Sequence, residues 1–344
     1  MTTRSIGCAA IGLVAALAVA WPLHAERAPG KARPPAAPAA IEIQARPITS
    51  FDHRDPDRRR FGLLDFRGGI VLTSPFREFG GISAINIAAD GSNFIAVTDR
   101  SWWLRGRITY DGGRPSGIVG AEMAPMLGPD GRTLAARRWY DTEALTRDGD
   151  TLYVGIERVH RIVRFDFGRD GLRARGRPID VPAAFRSLPS NGGIEALAFV
   201  PKGGPLGGAL IAIAERGRTE AGDHRAFLIG GPRPGAFAIK RRDAFDVSDA
   251  TLSSASDLLV LERKFGWTTG LYIRIRRIAV ADIRPGALVD GRVLFEADLG
   301  QQIDNLEGIA AHRSGGETVL TLISDDNFSS IQRTLLLQFT LVVP

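Results

Sequence analysis

From residue 41 onward, short apolar or alternating runs are separated by Gly, Asp, Asn and Pro, and no long segment keeps its apolar positions at helical spacing. Val163, Phe165 and Phe167 alternate with Arg164 and Asp166, and Ile273 and Ile275 alternate with Arg274 and Arg276. That period of two predicts strands with one buried face. Residues 210–214 and 258–261 are apolar throughout, which suits strands covered on both faces. The pattern is that of an all-β chain.

The runs also repeat. Five times a polar or acidic residue in a Gly/Asn/Asp-rich turn opens a short strand, and an apolar strand then returns to an acidic end. The openings are GGIS at 80–83, DTEAL at 141–145, NGGIEAL at 191–197, SDATL at 248–252 and DNLEGIA at 304–310. The returns end at Asp99-Arg100, Glu157-Arg158, Glu215-Arg216, Glu262-Arg263 and Asp325-Asp326-Asn327. Opening positions Ser83, Glu143, Glu195, Asp249 and Glu307 are 60, 52, 54 and 58 residues apart, room for four strands per unit. Such a unit is one propeller blade. The expectation is a single β-propeller of five to six blades, closed by strands from both chain ends, with residues 335–343 joining strands that precede Gly80. Six blades are favoured, because the candidate strands at 41–43, 61–66 and 70–72 exceed what one closing strand requires.

Ahead of this domain, assigned to residues 41–344, two segments stand apart. Arg4, an uncharged apolar run over 6–20 and small residues at Ala20 and Ala25 predict a signal peptide over 1–25, cleaved near one or the other. Residues 26–40, rich in Pro and Ala, predict a disordered tether. The expected location is periplasmic or secreted. No segment is long and apolar enough to span a bilayer as a helix. The single cysteine, Cys8, lies inside the predicted signal ahead of most of its apolar run, whereas a lipidated cysteine would follow that run. A chain cleaved there has no thiol, which excludes disulfides, cysteine nucleophiles and cysteine zinc sites. The net charge of +6 is carried mainly by arginines dispersed among acids, with no basic helix or aromatic-basic platform for nucleic acid.

In an antiparallel hairpin the first residue of one strand lies beside the last residue of the next, so each opening acid should sit near its closing acid. On that reading Glu143 approaches Glu157, Glu195 approaches Glu215, Asp249 approaches Glu262, and Glu307 approaches Asp325 and Asp326, all at one mouth of the channel. Crowded carboxylates need counter-charge. A hard cation such as Ca²⁺, with its six to eight oxygen ligands, is one source, and the arginines after the closing acids are the other. The mature histidines, His53, His160, His224 and His312, have no zinc-ligand or nucleophile-elbow spacing, and no phosphate loop or dinucleotide fingerprint occurs. His160 draws notice for its place just after Glu157-Arg158.

The motifs at 80–83, 99–100, 191–197, 261–263, 305–310 and 324–328 together resemble the bacterial phytase-like family described as having esterase-like activity, over residues 61–339. That resemblance implies an exported propeller hydrolysing esters or phosphoesters. Its catalytic residues do not carry over to named positions here. The expected cation ligands are Glu143, Glu195, Glu307, Asp325 and Asp326, holding Ca²⁺, while Arg100, Arg158, Arg216 and Arg263 would bind a small anionic ester or phosphoester. The alternatives are a lactonase-type propeller hydrolase and a non-enzymatic binding or assembly module whose acid-arginine ring only locks blades together.

Overall fold

A strand that is apolar on both faces must be covered twice, and the architecture supplies two covers to almost every such strand. The computed structural model describes residues 37–342. These form five sheets, antiparallel except for one short parallel edge pair in the third, arranged as blades around a channel, each led by an inner strand: Ile82–Ile87, Thr142–Asp148, Ile194–Phe199, Asp246–Ser254 and Leu306–Ser314. Each inner strand packs beside the next, and the fifth packs beside the first, which closes the ring.

The core is divided into five apolar clusters, one between each pair of neighbouring blades. Strand Asp257–Gly266 illustrates why: Leu258 and Val260 face the third blade, whereas Leu259 and Leu261 face the fifth. The continuous apolar runs expected to be covered on both faces are covered in this way. The fifth blade joins both chain ends, in the order Leu306–Ser314, Glu317–Ser324, Thr334–Leu341, Leu64–Thr73 and Gln44–Ile48. Closure by strands from both ends is therefore observed.

There are five blades, which corrects the favoured count of six. The surplus N-terminal strands build no sheet of their own. Gln44–Ile48 and Arg60–Phe61 pair with Leu64–Thr73 in the fifth blade, and Ala39–Ala40, at the end of the Pro/Ala segment, pairs with Glu122 and Met123 on the rim of the first. The segments expected to be a signal peptide and, for the most part, a tether lie outside the described residues. None of the helices among the described residues is long and apolar enough to cross a membrane.

A carboxylate-lined candidate site at the channel mouth

Every inner strand carries a β-bulge close to its start, where pairing skips Ser83, Glu143, Glu195, Ser248 or Glu307. A bulge takes one residue out of the ladder and re-aims its side chain. Beside each bulge lies the closing residue, where the second strand ends in the first, second and fifth blades and runs on in the third and fourth. There the N–H groups of Asp99, Glu157, Glu215 and Asp325 donate to the carbonyls of Gly81, Asp141, Gly193 and Asn305 respectively. In the fourth blade the equivalent position, opposite Asp246, is Arg263.

The register of the fourth blade thus differs by one residue from the sequence reading. Ser248, not Asp249, occupies the bulge, and Arg263, not Glu262, the closing position. Asp249 turns away into the neighbouring blade interface, where its carboxylate accepts from the N–H groups of Ala250 and Ile309 at 2.8 Å. Glu262 is fully buried in a bidentate pair with Arg276. Burial raises its pKa, and Arg276 offsets part of that rise. Replacing Glu262 with Ala should leave a buried arginine short of a partner and cost about 3 kcal/mol of stability. Any cation-dependent stabilisation should survive that change. A thermal melt of Glu262→Ala with and without Ca²⁺ checks both halves.

The bulge and closing residues surround a cavity of about 200 Å³. Eight carboxylates and three arginines line it. Arg158 pairs with Asp141 at 2.6 Å, Arg216 with Glu215 at 3.2 Å, and Arg263 with Glu307 at 2.6 Å and Glu215 at 3.5 Å. Against the cost of burial, Glu307, Glu215 and Glu195 raise the pKa of Arg263 and hold it charged. Among the described residues, Asp99, Glu143, Glu157, Glu195 and Asp325 have no basic partner within ion-pair distance.

Three of those unpaired acids, Glu143, Glu157 and Glu195, fall in two close groups. Carboxylate oxygens of Asp141, Glu143 and Glu157 lie within 4.8 Å of one another, as do those of Glu157, Glu195 and Glu215, so Glu157 belongs to both groups. One oxygen of Glu157 accepts from the N–H groups of Gly192 and Gly193, the latter at 2.9 Å, which ties the second blade to the third. Gly192 has φ of +103°, and a Cβ there would come within 2.5 Å of Arg216, so the cradle requires glycine.

Crowding without counter-charge favours the protonated acids. Burial, then Glu307 and Asp141, push Glu143 well above the usual carboxylate range. Burial, then Glu143, Glu215 and Glu157, do the same to Glu195. Burial, followed by Glu307, raises Asp325 to about 8, and burial raises Asp99 to about 6. A carboxyl whose folded pKa is raised binds more protons folded than unfolded, so its contribution falls as pH rises toward the folded pKa. His224, lowered to about 4 mainly by burial, works in the opposite sense, but only below about pH 6.5. In chelator, the melting temperature should therefore fall between pH 6.5 and 8, and Ca²⁺ should reverse most of that fall. A flat profile in chelator over this window would contradict the assignment.

Of the residues singled out by sequence, Glu143, Glu195, Glu307 and Asp325 line the cavity together with Arg158, Arg216 and Arg263. Glu307 is committed to Arg263 and to the amide of Asn305. Asp326 lies elsewhere: its oxygens accept from Gly81 N–H, Phe328 N–H and the Thr334 hydroxyl, linking the fifth blade to the first. Arg100 also stands apart, stacked on Phe328 and 3.9 Å from Glu78. None of the four histidines reaches the cavity. Sequence reasoning did not include Asp141, Glu157 and Glu215 among the ligands, although all three belong to the opening and closing motifs and the pairing of strand ends placed Glu157 beside Glu143 and Glu215 beside Glu195.

Residues 77–328 match the phytase-like family, described as "Esterase-like activity of phytase". No curated protein matches the chain. Among solved structures, the WD40 domain of Toxoplasma gondii coronin is similar at 8% identity and a TM-score of 0.39, over 90% of this chain and 88% of that one. The PQQ-bound aldose sugar dehydrogenase of Streptomyces coelicolor is similar at 11% identity and a TM-score of 0.39, over 90% of this chain and 99% of that one. The family match spans most of the described residues, and the chain belongs to the phytase-like family.

Proposed function

We propose that this phytase-like protein is an exported hydrolase that holds Ca²⁺ in its carboxylate cavity and cleaves an ester or phosphoester there. The observation that carries the reading is the pair of three-carboxylate groups meeting at Glu157, whose members Glu143, Glu157 and Glu195 have no basic partner among the described residues. Oxygen-only donors suit a hard cation, and the absence of histidine from the cavity lining disfavours zinc or copper. Asp141, Glu143, Glu157, Glu195 and Glu215 would supply the ligands, with Asp325 facing the same space.

A bound cation would polarise the scissile group and ease deprotonation of water. The chain's own residues do the rest. Asp325, which faces the same space but belongs to neither three-carboxylate group, is placed to take a proton from the attacking water. The water oxygen joins the acyl carbon or phosphorus, the bond to the leaving oxygen breaks, and a proton ends on that oxygen. Arg216, half exposed beside Glu215, is oriented by that carboxylate at the rim, where it can meet an anionic substrate oxygen. Metal analysis of the purified protein, followed by an ester and phosphomonoester hydrolysis screen with and without chelator, tests this. Turnover that chelator removes and Ca²⁺ restores is the expected result, and no turnover under any condition overturns the enzymatic reading.

One observation favours a binding or assembly module instead: Arg158, Arg216 and Arg263 are all paired with acids of the ring, as a structural lock would have them. In that case chelator should leave the melting temperature unchanged.

A further inference from the structure

Beside the carboxylate cavity, and continuous with it through Glu215, Arg216, Arg263, Glu307 and Asn327, lies a larger cleft of about 1110 Å³. Its outer wall is apolar and exposed. Phe265, at the end of Asp257–Gly266, and Trp267, on the turn that leads to Gly270–Ala279, have ring centroids 5.4 Å apart in an edge-to-face contact. Ile331 faces the cleft from the loop ahead of the fifth blade's third strand. Trp267 is 95% exposed, Ile331 89% and Phe265 61%, which is unusual for three large apolar side chains lining one concavity. Neither core packing nor blade closure requires them there.

The charges of the cleft balance. Four carboxylates and four basic side chains line it, and the basic ones are engaged. Arg241 pairs with Asp246, Arg216 with Glu215 and Arg263 with Glu307, while the Lys264 ammonium sits 4.9 and 4.8 Å from the ring centroids of Phe245 and Tyr272. The adjoining cavity has eight carboxylates against three arginines, an acidic excess that one bound divalent cation only partly offsets. A polyanion such as an inositol polyphosphate meets in the cleft no cation without an acid or aromatic partner, and an acidic excess at the cavity. An uncharged ester loses nothing to that excess and gains by burying an apolar arm against the two aromatic rings.

We infer that the substrate is a low-charge ester with an apolar acyl or aryl arm, its scissile group at the carboxylate cavity and its arm on Phe265, Trp267 and Ile331. The inference rests on the hydrolase reading for its turnover but not for its binding. Hydrolysis of p-nitrophenyl acetate, butyrate and hexanoate, with inositol hexakisphosphate as the polyanionic comparison, reads the first. Calorimetric binding of p-nitrophenyl butyl ether, which cannot be hydrolysed, reads the second.

In the wild type, kcat/KM should rise from acetate to hexanoate and inositol hexakisphosphate should not be cleaved. Trp267→Ser should weaken binding of the ether by about tenfold, as expected for the loss of roughly 60 Å² of apolar burial. It should also flatten the chain-length series, bringing kcat/KM for hexanoate down towards that for acetate. Trp267 is too exposed for its replacement to unfold the protein. If no ester turns over but the ether binds through Trp267, the hydrolase reading fails and the cleft stands. If all esters are cleaved equally and Trp267→Ser binds the ether as the wild type does, the cleft assignment is overturned. Preferential cleavage of inositol hexakisphosphate overturns it as well.

Discussion

Glu157→Gln is expected to abolish Ca²⁺ binding at the channel mouth while leaving the fold intact. The amide keeps the side chain's volume and an oxygen that accepts from Gly192 and Gly193, so the tie between the second and third blades persists. What disappears is the one negative charge common to both carboxylate groups. Cation affinity follows the number of charged ligands, so a loss on the order of 100-fold or more should follow. At a concentration about 100 times the wild-type Kd, Ca²⁺ stabilises the native state by about 2.7 kcal/mol, and that increment should vanish in the variant. In chelator the ranking reverses: with one fewer charge in a crowded cavity, Glu157→Gln should melt no lower than the wild type. A variant that still gains the full Ca²⁺-dependent shift would show that Glu157 is no ligand.

Removing residues 334–344 should prevent folding. Strand Thr334–Leu341 lies between Glu317–Ser324 and Leu64–Thr73, and Leu335, Leu336, Leu337 and Phe339 are fully buried. They feed two different cores: Leu336 packs between the fifth and first blades, and the other three between the fourth and fifth. Each such side chain contributes about 1.5–3 kcal/mol by burial, so losing four removes an amount comparable to the ~5–15 kcal/mol that stabilises a typical domain. The deletion also leaves two unpaired strand edges facing one another across a gap, a template for aggregation. Insoluble expression, or a soluble product without a cooperative melt, is the expected outcome. A truncated protein with unchanged thermal stability would contradict ring closure through the fifth blade.

Two patterns determined the strand class: Val163 and Phe165 alternate with Arg164, which stays exposed, whereas the runs at 210–214 and 258–261 are buried between two blades and have no solvent side to mark with polar residues. The repeat located the inner hairpins for the same reason, since each blade must open and close at the channel. Blade number was less legible. Outer strands such as Gln44–Ile48 look like the start of a further sheet, but edge pairing onto an existing blade leaves no trace in the pattern. The fourth blade misled through chemistry. Asp249 and Glu262 match the acidic repeat by type, yet the bulge falls one residue earlier, at Ser248, and a one-residue slip sends the neighbouring side chain to another face. Asp249 and Glu262 are therefore buried between blades, and an arginine holds the place of the fifth closing acid.

The same slip shapes the site. A fully symmetric ring would carry an acid at every closing position, but Arg263 breaks it and draws Glu307 and Glu215 toward the fourth blade. The unpaired carboxylates are left mainly on the side of the second and third blades, where Glu143, Glu157 and Glu195 converge. Both sources of counter-charge that the sequence offered thus have a place: arginine on one side of the cavity, room for a cation on the other.

The most direct test is a calorimetric titration of Ca²⁺ into chelator-stripped wild-type protein at pH 7.5, with metal content measured before stripping. Saturable binding accompanied by proton release is predicted, because the cation replaces protons held by Glu143, Glu195 and Asp325. Protein that carries no metal as purified, shows no heat of Ca²⁺ binding and melts at the same temperature with or without chelator would contradict the cation site on which the proposed activity depends.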